Sequence, residues 1–382
     1  MIYLDNNATS PLLPEVLEAM LPCFMEAFGN PSSIHNCGRR ALAHIKEARQ
    51  QVAALLGCRT TEIIFTSGGT EGDNLALKGM IRPGDHLIVS AIEHSAILSS
   101  AAWLAKQGCE VTRVVVNGNG QVEPSSIRAA IRPNTRLISV MTANNETGVL
   151  QPVEEIGCIA AEADVWFHTD AVQAAGKVPL FVDRIGCDLL TISGHKFHGP
   201  QGTGALFVRA GTPLRPLLHG GHQEKHLRPG TENVPGIVGF GRACQIARAA
   251  LSNGVMENIG ALRDRLEAVL VSLIPDARIN GKGVPRVPNT TNILFEQVSG
   301  DALVMALDDL GVEVSRGSAC SAGAADPSNV LTAMGLTGAQ ARSSLRFSLG
   351  KQNTLEETDA ATAVVVDAVA KLREKSAMFW TA

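Results

Sequence analysis

The sequence predicts an α/β protein: a large domain built on a mainly parallel seven-stranded sheet, followed by a smaller α+β domain. Three observations carry this. Between residues 62 and 208, short apolar runs alternate with amphipathic stretches at helical spacing, the pattern of a parallel sheet covered on both faces. Most of the early apolar runs end in glycine-rich or polar turns, where such sheets place their sites. The chain has 382 residues, 45% apolar and 18% charged, enough for a large core and two domains.

Asp5-Asn6-Asn7-Ala8-Thr9 forms a turn-rich beginning. Residues 14–28 read as helix, with Pro14 suited to its first turn and Pro22 as a kink. Gly29-Asn30-Pro31 breaks it. A long helix follows over 38–56, with Ala41, Ile45, Ala48, Val52 and Leu55 along one side. Strands are predicted at 62–66, 86–89, 111–116, 137–141, 165–169, 188–192 and 204–208. Helices fill the gaps: from the Ser67–Glu71 turn to Met80, from Ser95 to Lys106, over 125–131 and over 153–163. Two long helices come next, 233–252 and 255–274, and the second leads into the smaller domain. There 292–295, 312–314 and 344–348 read as strands, and 299–309 and 354–373 as helices. Residues 316–325 are small and polar and predict a mobile loop.

Composition excludes several classes. Net charge is -4 with no basic cluster, so no nucleic-acid partner is expected. The first residues lack the basic and apolar regions of a signal peptide, and no apolar run is long enough to span a bilayer. The eight cysteines, at 23, 37, 58, 109, 158, 187, 244 and 320, include no C-x-x-C pair. That suits reduced thiols in a cytoplasm better than a disulfide frame or a metal site. Cys320, in its polar loop, is the one cysteine not expected to be a packed apolar residue.

Sites in such sheets form outside the carboxyl ends of the strands. Ser67–Thr70, Glu93–His94, Asn144–Asn145, Asp170–Gln173 and Ser193–Lys196 should therefore converge. Lys196 follows the buried strand 188–192 between His195 and His198, with Gly194, Gly199 and Pro200 fixing the backbone. Held beside cationic groups and out of water, a lysine becomes a usable amine nucleophile; taken alone, the segment reads first as a surface lysine in a glycine-rich turn. Gly68-Gly69-Thr70 opens a helix, which is a phosphate seat or a simple turn with a Thr cap. Asp170 at a strand end needs a cationic partner, such as a protonated pyridine nitrogen, or serves as a cap. His94 is a ring-stacking or proton-shuttling group, or a structural histidine. Phosphate seat, histidine, acid and amine lysine together describe a pyridoxal 5′-phosphate site.

On these residues the chain resembles the cysteine desulfurases of the NifS/IscS type, within the class-V aminotransferase group of pyridoxal-phosphate-dependent fold type I enzymes. The resemblance runs nearly end to end. It is carried in order by Tyr3–Thr9, Gly29–His35, Ser67–Glu71, Glu93-His94, Asn144–Gly148, His168–Gln173, Ser193–Lys196, Arg228–Asn233, Gly317–Cys320 and Arg346–Gly350. It implies a large domain over 14–258 and a small domain of 1–13 and 259–382, with the cysteine loop at about 315–327. Lys196 should hold the cofactor as a Schiff base, with Asp170 on the ring nitrogen, Gln173 on the phenolic oxygen and His94 against the ring. Gly69, Thr70, Ser193 and His195 should bind the phosphate, with Thr231 reaching in from the other subunit of a homodimer. Asn145 and Arg346 should hold the substrate L-cysteine, Arg346 through its carboxylate, and Asn145 should also contact the cofactor. Lys196 then takes the Cα proton. Cys320 attacks the substrate sulfur, keeps it as a persulfide and passes it to an acceptor or scaffold protein, with transient contact to an iron–sulfur cluster also implied. No resident metal is expected.

The family often has Ser before Gly-Ser-Ala-Cys; here Arg316 stands there and is expected to add a charge to the loop. A selenocysteine lyase or a class-V aminotransferase would use the same site, and a transaminase would not need Cys320. A catalytically idle partner protein is disfavoured, because every chemical position holds a competent residue.

Overall fold

A computed structural model describes residues 1–317 and 326–380 of the chain. The first part runs β1 (Ile2–Tyr3), α1 (Pro14–Met20), α2 (Pro22–Met25), α3 (Asn36–Leu56), β2 (Ile63–Thr66) and α4 (Gly69–Met80). The middle runs β3 (His86–Ser90), α5 (Ser95–Lys106), β4 (Glu110–Val114), α6 (Pro124–Ala130), β5 (Thr135–Ser139), α7 (Val153–Glu162), β6 (Trp166–Asp170), α8 (Val182–Ile185), β7 (Leu189–Ser193) and β8 (Gly204–Val208). Then come α9 (Val234–Ala250), α10 (Val255–Leu273), β9 (Ala277–Ile279), β10 (Thr290–Phe295), α11 (Gly300–Asp309) and β11 (Val312–Glu313). The described chain closes with α12 (Asn329–Ala333), α13 (Gly338–Arg342), β12 (Ser344–Ser348) and α14 (Leu355–Trp380).

The large sheet has seven strands in the order β2-β8-β7-β6-β5-β3-β4. All pairs are parallel except those of β8, which runs antiparallel to both β2 and β7. The mainly parallel sheet predicted from the alternation is therefore present. Neighbouring residues of one strand feed opposite cores, as the two-residue period requires. Ile88, Leu190 and Phe207 join one apolar cluster, while Leu87, Leu189 and Leu206 join another. Both faces are dry, so β2, β3 and β7 are buried along their whole length.

A third cluster gathers Leu4 with residues from Ala250 to Val369. It is built on the antiparallel sheet β12-β10-β9 and the small parallel pair β1-β11. The N-terminal strand thus pairs with residues more than 300 positions away.

Pro22 does more than kink the first helix. With no N–H to give, it ends α1 at Met20, and Leu21 serves as the cap between α1 and α2. The short elements β1, β9, α8, α12 and α13 have no periodicity long enough to read from sequence. α3 ends where Gly57 turns to φ 66°, a left-handed conformation that glycine adopts freely.

Candidate active site

The carboxyl ends of β2, β3, β5, β6 and β7 open onto one cavity of about 170 Å³. It collects Gly69, Thr70, His94, Asn145, Asp170, Gln173, Ser193, His195 and Lys196 from the strand ends, and Arg346 from β12. Thr231 is exposed and does not line the cavity. Cys320 lies outside the described residues.

Lys196 sits in the tight turn Gly194–Lys196 after β7. Its Nζ donates to the carbonyls of Asn7 at 2.7 Å and Ala8 at 2.8 Å. The turn is anchored to the N-terminal segment: the carbonyl of His195 accepts from Ser10 N, and His195 Nδ1 lies 3.2 Å from Thr9 Oγ1. Burial, then the cations Lys196 and Lys177, pushes His195 down to about 4. Burial also takes His198 down to about 4, and its Nδ1 lies 2.9 Å from Pro11 O. Both rings are neutral at neutral pH.

The opposite wall is the start of α4. Gly68 takes φ 149°, a conformation rare for L side chains, and is the N-cap. Thr70 is therefore not the cap. A Cβ on Gly69 would stand 2.9 Å from Val172 Cγ2, so only glycine lets the backbone come this close. The first amides of α4 have no intrahelical partner and carry the positive end of the helix dipole. Glu71 fixes the turn, accepting from Ser67 N at 2.7 Å and from Arg228 Nε at 2.9 Å.

His94 and Asp170 each do two jobs. His94 Nδ1 accepts from Ala96 N and caps α5, while the ring lines the cavity. Asp170 Oδ1 accepts from Val172 N at 2.9 Å, yet the residue also lines the cavity and is 5% exposed. Burial raises the Asp170 carboxyl, while His94 and Lys196 pull it back. Burial likewise lowers His94, opposed by Asp170.

Behind Asp170 lies an unusual set of buried acids. Asp73, 1% exposed, has no close hydrogen-bond partner for either oxygen among the described residues; burial and then Asp170 raise it well above the ordinary carboxyl range, opposed by the nearby Thr191 hydroxyl. Glu93 Oε1 accepts from Ser90 Oγ and Met141 N, and burial pushes its carboxyl up to about 8. His168 is 3.7 Å from Asp73, and burial lowers it to about 3.

Glu93 binds its proton more tightly in the fold than in the unfolded chain. Its contribution is complete below the unfolded value of 4.5 and is lost as pH rises through about 8. Glu93→Gln keeps the acceptor and cannot ionise. Its stability relative to wild type is expected to rise across that window by a few kcal/mol in order of magnitude. Thermal unfolding of both proteins against pH checks this; parallel curves would contradict it.

Arg346 is 1% exposed. Nη1 donates to Asn145 O at 3.0 Å, Nη2 pairs with Asp5 at 2.5 Å, and Nε has no partner among the described residues. The expected loop charge is compensated: Arg316 pairs with Asp301 at 2.5 Å. Asn144, predicted beside Asn145, is instead structural, its Oδ1 accepting from the amides of Glu146 and Thr147. Asn7, Ala8 and Asp73 line the cavity without having been assigned a role from sequence. Asp73 lies four residues after Gly69 on α4, so helical spacing could have placed it.

Residues 2–361 match the family model Aminotransferase class-V. The chain belongs to that family. A protein named cysteine desulfurase IscS from Methanosarcina thermophila is 48% identical, over 98% of this chain and 93% of its own. A solved NifS-like protein from Rickettsia africae superposes with a TM-score of 0.87 at 36% identity, covering 96% of this chain and 99% of its own. A structure described as SspA in complex with cysteine gives a TM-score of 0.81 at 37% identity, over 93% and 100% of the two chains.

This class-V aminotransferase-family chain is accordingly a fold type I enzyme dependent on pyridoxal 5′-phosphate, and the cavity fits that group. A buried carboxyl raised by desolvation awaits a cation, a lysine amine faces it, and free helix amides with the space of two glycines suit a phosphate. No helix among the described residues is long and apolar enough to cross a membrane.

Proposed function

We propose that this protein is a cysteine desulfurase that converts L-cysteine to L-alanine and hands the sulfur, as a persulfide on Cys320, to an acceptor protein. The observation that carries the reading is the gathering of Lys196, Asp170, His94 and Arg346 around one cavity in a chain this similar to proteins named cysteine desulfurase. Bound there, pyridoxal phosphate supplies an electron sink for the carbon beside the substrate carboxylate.

The chain's residues do the rest. Lys196 is the residue to hold the cofactor through Nζ and later to move the Cα proton of the substrate. Asp170 would meet the ring nitrogen and favour its protonated form. Gln173 would serve the phenolic oxygen, and His94 would lie against the ring. Gly69, Thr70, Ser193 and His195 take the phosphate; His195, neutral by burial, contributes a hydrogen bond rather than a charge. Asn145 and Arg346 hold the substrate, Arg346 through its carboxylate. Arg346 is held by Asp5 on one side, which leaves Nε as a donor. The Cys320 thiolate forms a new S–S bond to the substrate sulfur as the substrate Cβ–S bond breaks; the electron pair stays with Cβ, which takes up a proton, so that alanine leaves and Cys320–S–SH remains.

We also propose the division into a large domain of 14–258 and a small domain of 1–13 and 259–382, supported by the separate cluster around Leu4. A homodimer would bring the exposed Thr231 to a second site. The apolar surface of Phe24 (56% exposed), Met25 (80%) and Phe28 (69%) supports such an association. Every described cysteine is free, consistent with a cytoplasmic protein. Iron–sulfur cluster assembly is the destination the IscS name of the relative suggests.

Incubating the loaded protein with L-cysteine and a reductant tests the function. Alanine and sulfide in equal amounts are expected. Turnover only with a keto acid, without sulfide, would mark an aminotransferase; turnover of selenocysteine alone would mark a selenocysteine lyase.

A further inference from the structure

Behind the cavity lies a second lysine that the roles above leave unused. Lys177, in the turn after β6, is 6% exposed. Its Nζ donates to Gln173 Oε1 at 2.8 Å and to Asn7 Oδ1 at 2.9 Å. The charged groups that bear on it, Lys196 and Arg346, are both cations. Burial first, and those cations next, hold it well below the ordinary lysine range. An amine with two acceptors in reach fits this place without any anion.

The N–H groups of this amine go to these two acceptors, and the Asn7 carbonyl meets the other end of Gln173, which together decide how the neighbouring amides face. Gln173 Oε1 must point at Lys177, so Nε2 points the other way, donating to Asn7 O at 2.9 Å. Turning the amide over would set donor against donor and carbonyl against carbonyl. The same holds for Asn7. Its Oδ1 accepts from Lys177 and from Asn289, so Nδ2 faces Asn145 O and Thr290 Oγ1. The main-chain oxygen of Asn7 also accepts from Lys196. One buried amine thus sets the frame shared by Lys196, Gln173 and Asn145.

We propose that Lys177 is a positioning residue: by occupying Gln173 Oε1 and Asn7 Oδ1 it locks both amides, so that Gln173 presents its N–H edge to the cofactor cavity. The inference rests on the pyridoxal phosphate reading of that cavity.

The test takes the full-length protein loaded with pyridoxal phosphate and titrates its visible absorption band with pH. Lys177→Met removes the donors and keeps a buried stem. It is expected to retain the coloured cofactor but move the titration midpoint up by about one unit, because an oxygen anion that loses its donor binds a proton more tightly. Cofactor affinity is expected to fall roughly 10-fold. Gln173→Ala should give the same shift, and the double variant no further one, since both act through one amide. Lys177→Gln, whose amide can accept as well as donate, should move the midpoint the same way but less far; it carries the test if Lys177→Met does not fold. An unmoved midpoint in a folded variant, or a second full shift in the double variant, would overturn the role of Lys177 while leaving the cofactor reading intact. A wild-type protein that takes up no coloured cofactor would remove both.

Discussion

Lys196→Ala is expected to stop conversion of L-cysteine to alanine, with kcat down by about 10⁴-fold or more. The amine is the group the turn after β7 exists to present. The Asn7 and Ala8 carbonyls hold it in place, and the glycine-bounded turn leaves it no other location. Alanine removes the donor to the Ala8 carbonyl, leaves Asn7 O its bond from Gln173 Nε2, and otherwise preserves the cavity. The variant should therefore fold and still take up pyridoxal phosphate without a covalent bond. Borohydride reduction followed by peptide mapping separates the cases. In wild type the cofactor's mass is fixed on the peptide of Lys196, and in the variant no peptide carries it. Residual turnover within tenfold of wild type would contradict the assignment.

Asp170→Asn is expected to cost about 10³-fold in kcat and to weaken cofactor retention. The replacement is the same size, and its oxygen can still accept from Val172 N as Asp170 Oδ1 does. Only the charge is lost. In a site this dry, with Asp73 and Glu93 raised by burial, Asp170 is the acid placed to meet a cation from the cavity. Without it the ring nitrogen has no anionic partner and the ring becomes a poorer electron sink. A variant with wild-type kcat would show that another acid carries the role, and Asp73 is the nearest candidate because Asp170 perturbs it directly.

The strand ends were legible because parallel sheets declare themselves: apolar runs, each closed by polar residues, point to one crevice. Lys196, Asp170, His94 and Gly69 were readable for that reason. Gln173 was readable as part of the strand-end segment, but its role, like Arg346 and Thr231 altogether, came only through resemblance, since nothing in local spacing shows what these side chains face. Lys177 was not legible at all. Its partner Asn7 is 170 residues away in the chain, and a lysine beside Gly176 reads as a surface turn. Asp73 carries no signal of its own within the helix that runs to Met80; it is the packing of α4 against β7 that leaves its carboxyl dry. The pairing of β1 with β11 is hidden for the same reason, because two residues carry no period.

The central claim is that sulfur leaves L-cysteine onto Cys320, and one comparison tests it most directly. Wild type and Cys320→Ala, both loaded with pyridoxal phosphate, are given L-cysteine, and alanine and enzyme-bound sulfane sulfur are counted per site. Wild type should yield one persulfide for each alanine in the first turnover, and the variant neither, although its cofactor band still responds to L-cysteine. Alanine released at the wild-type rate by Cys320→Ala would contradict the account and place the sulfur chemistry elsewhere.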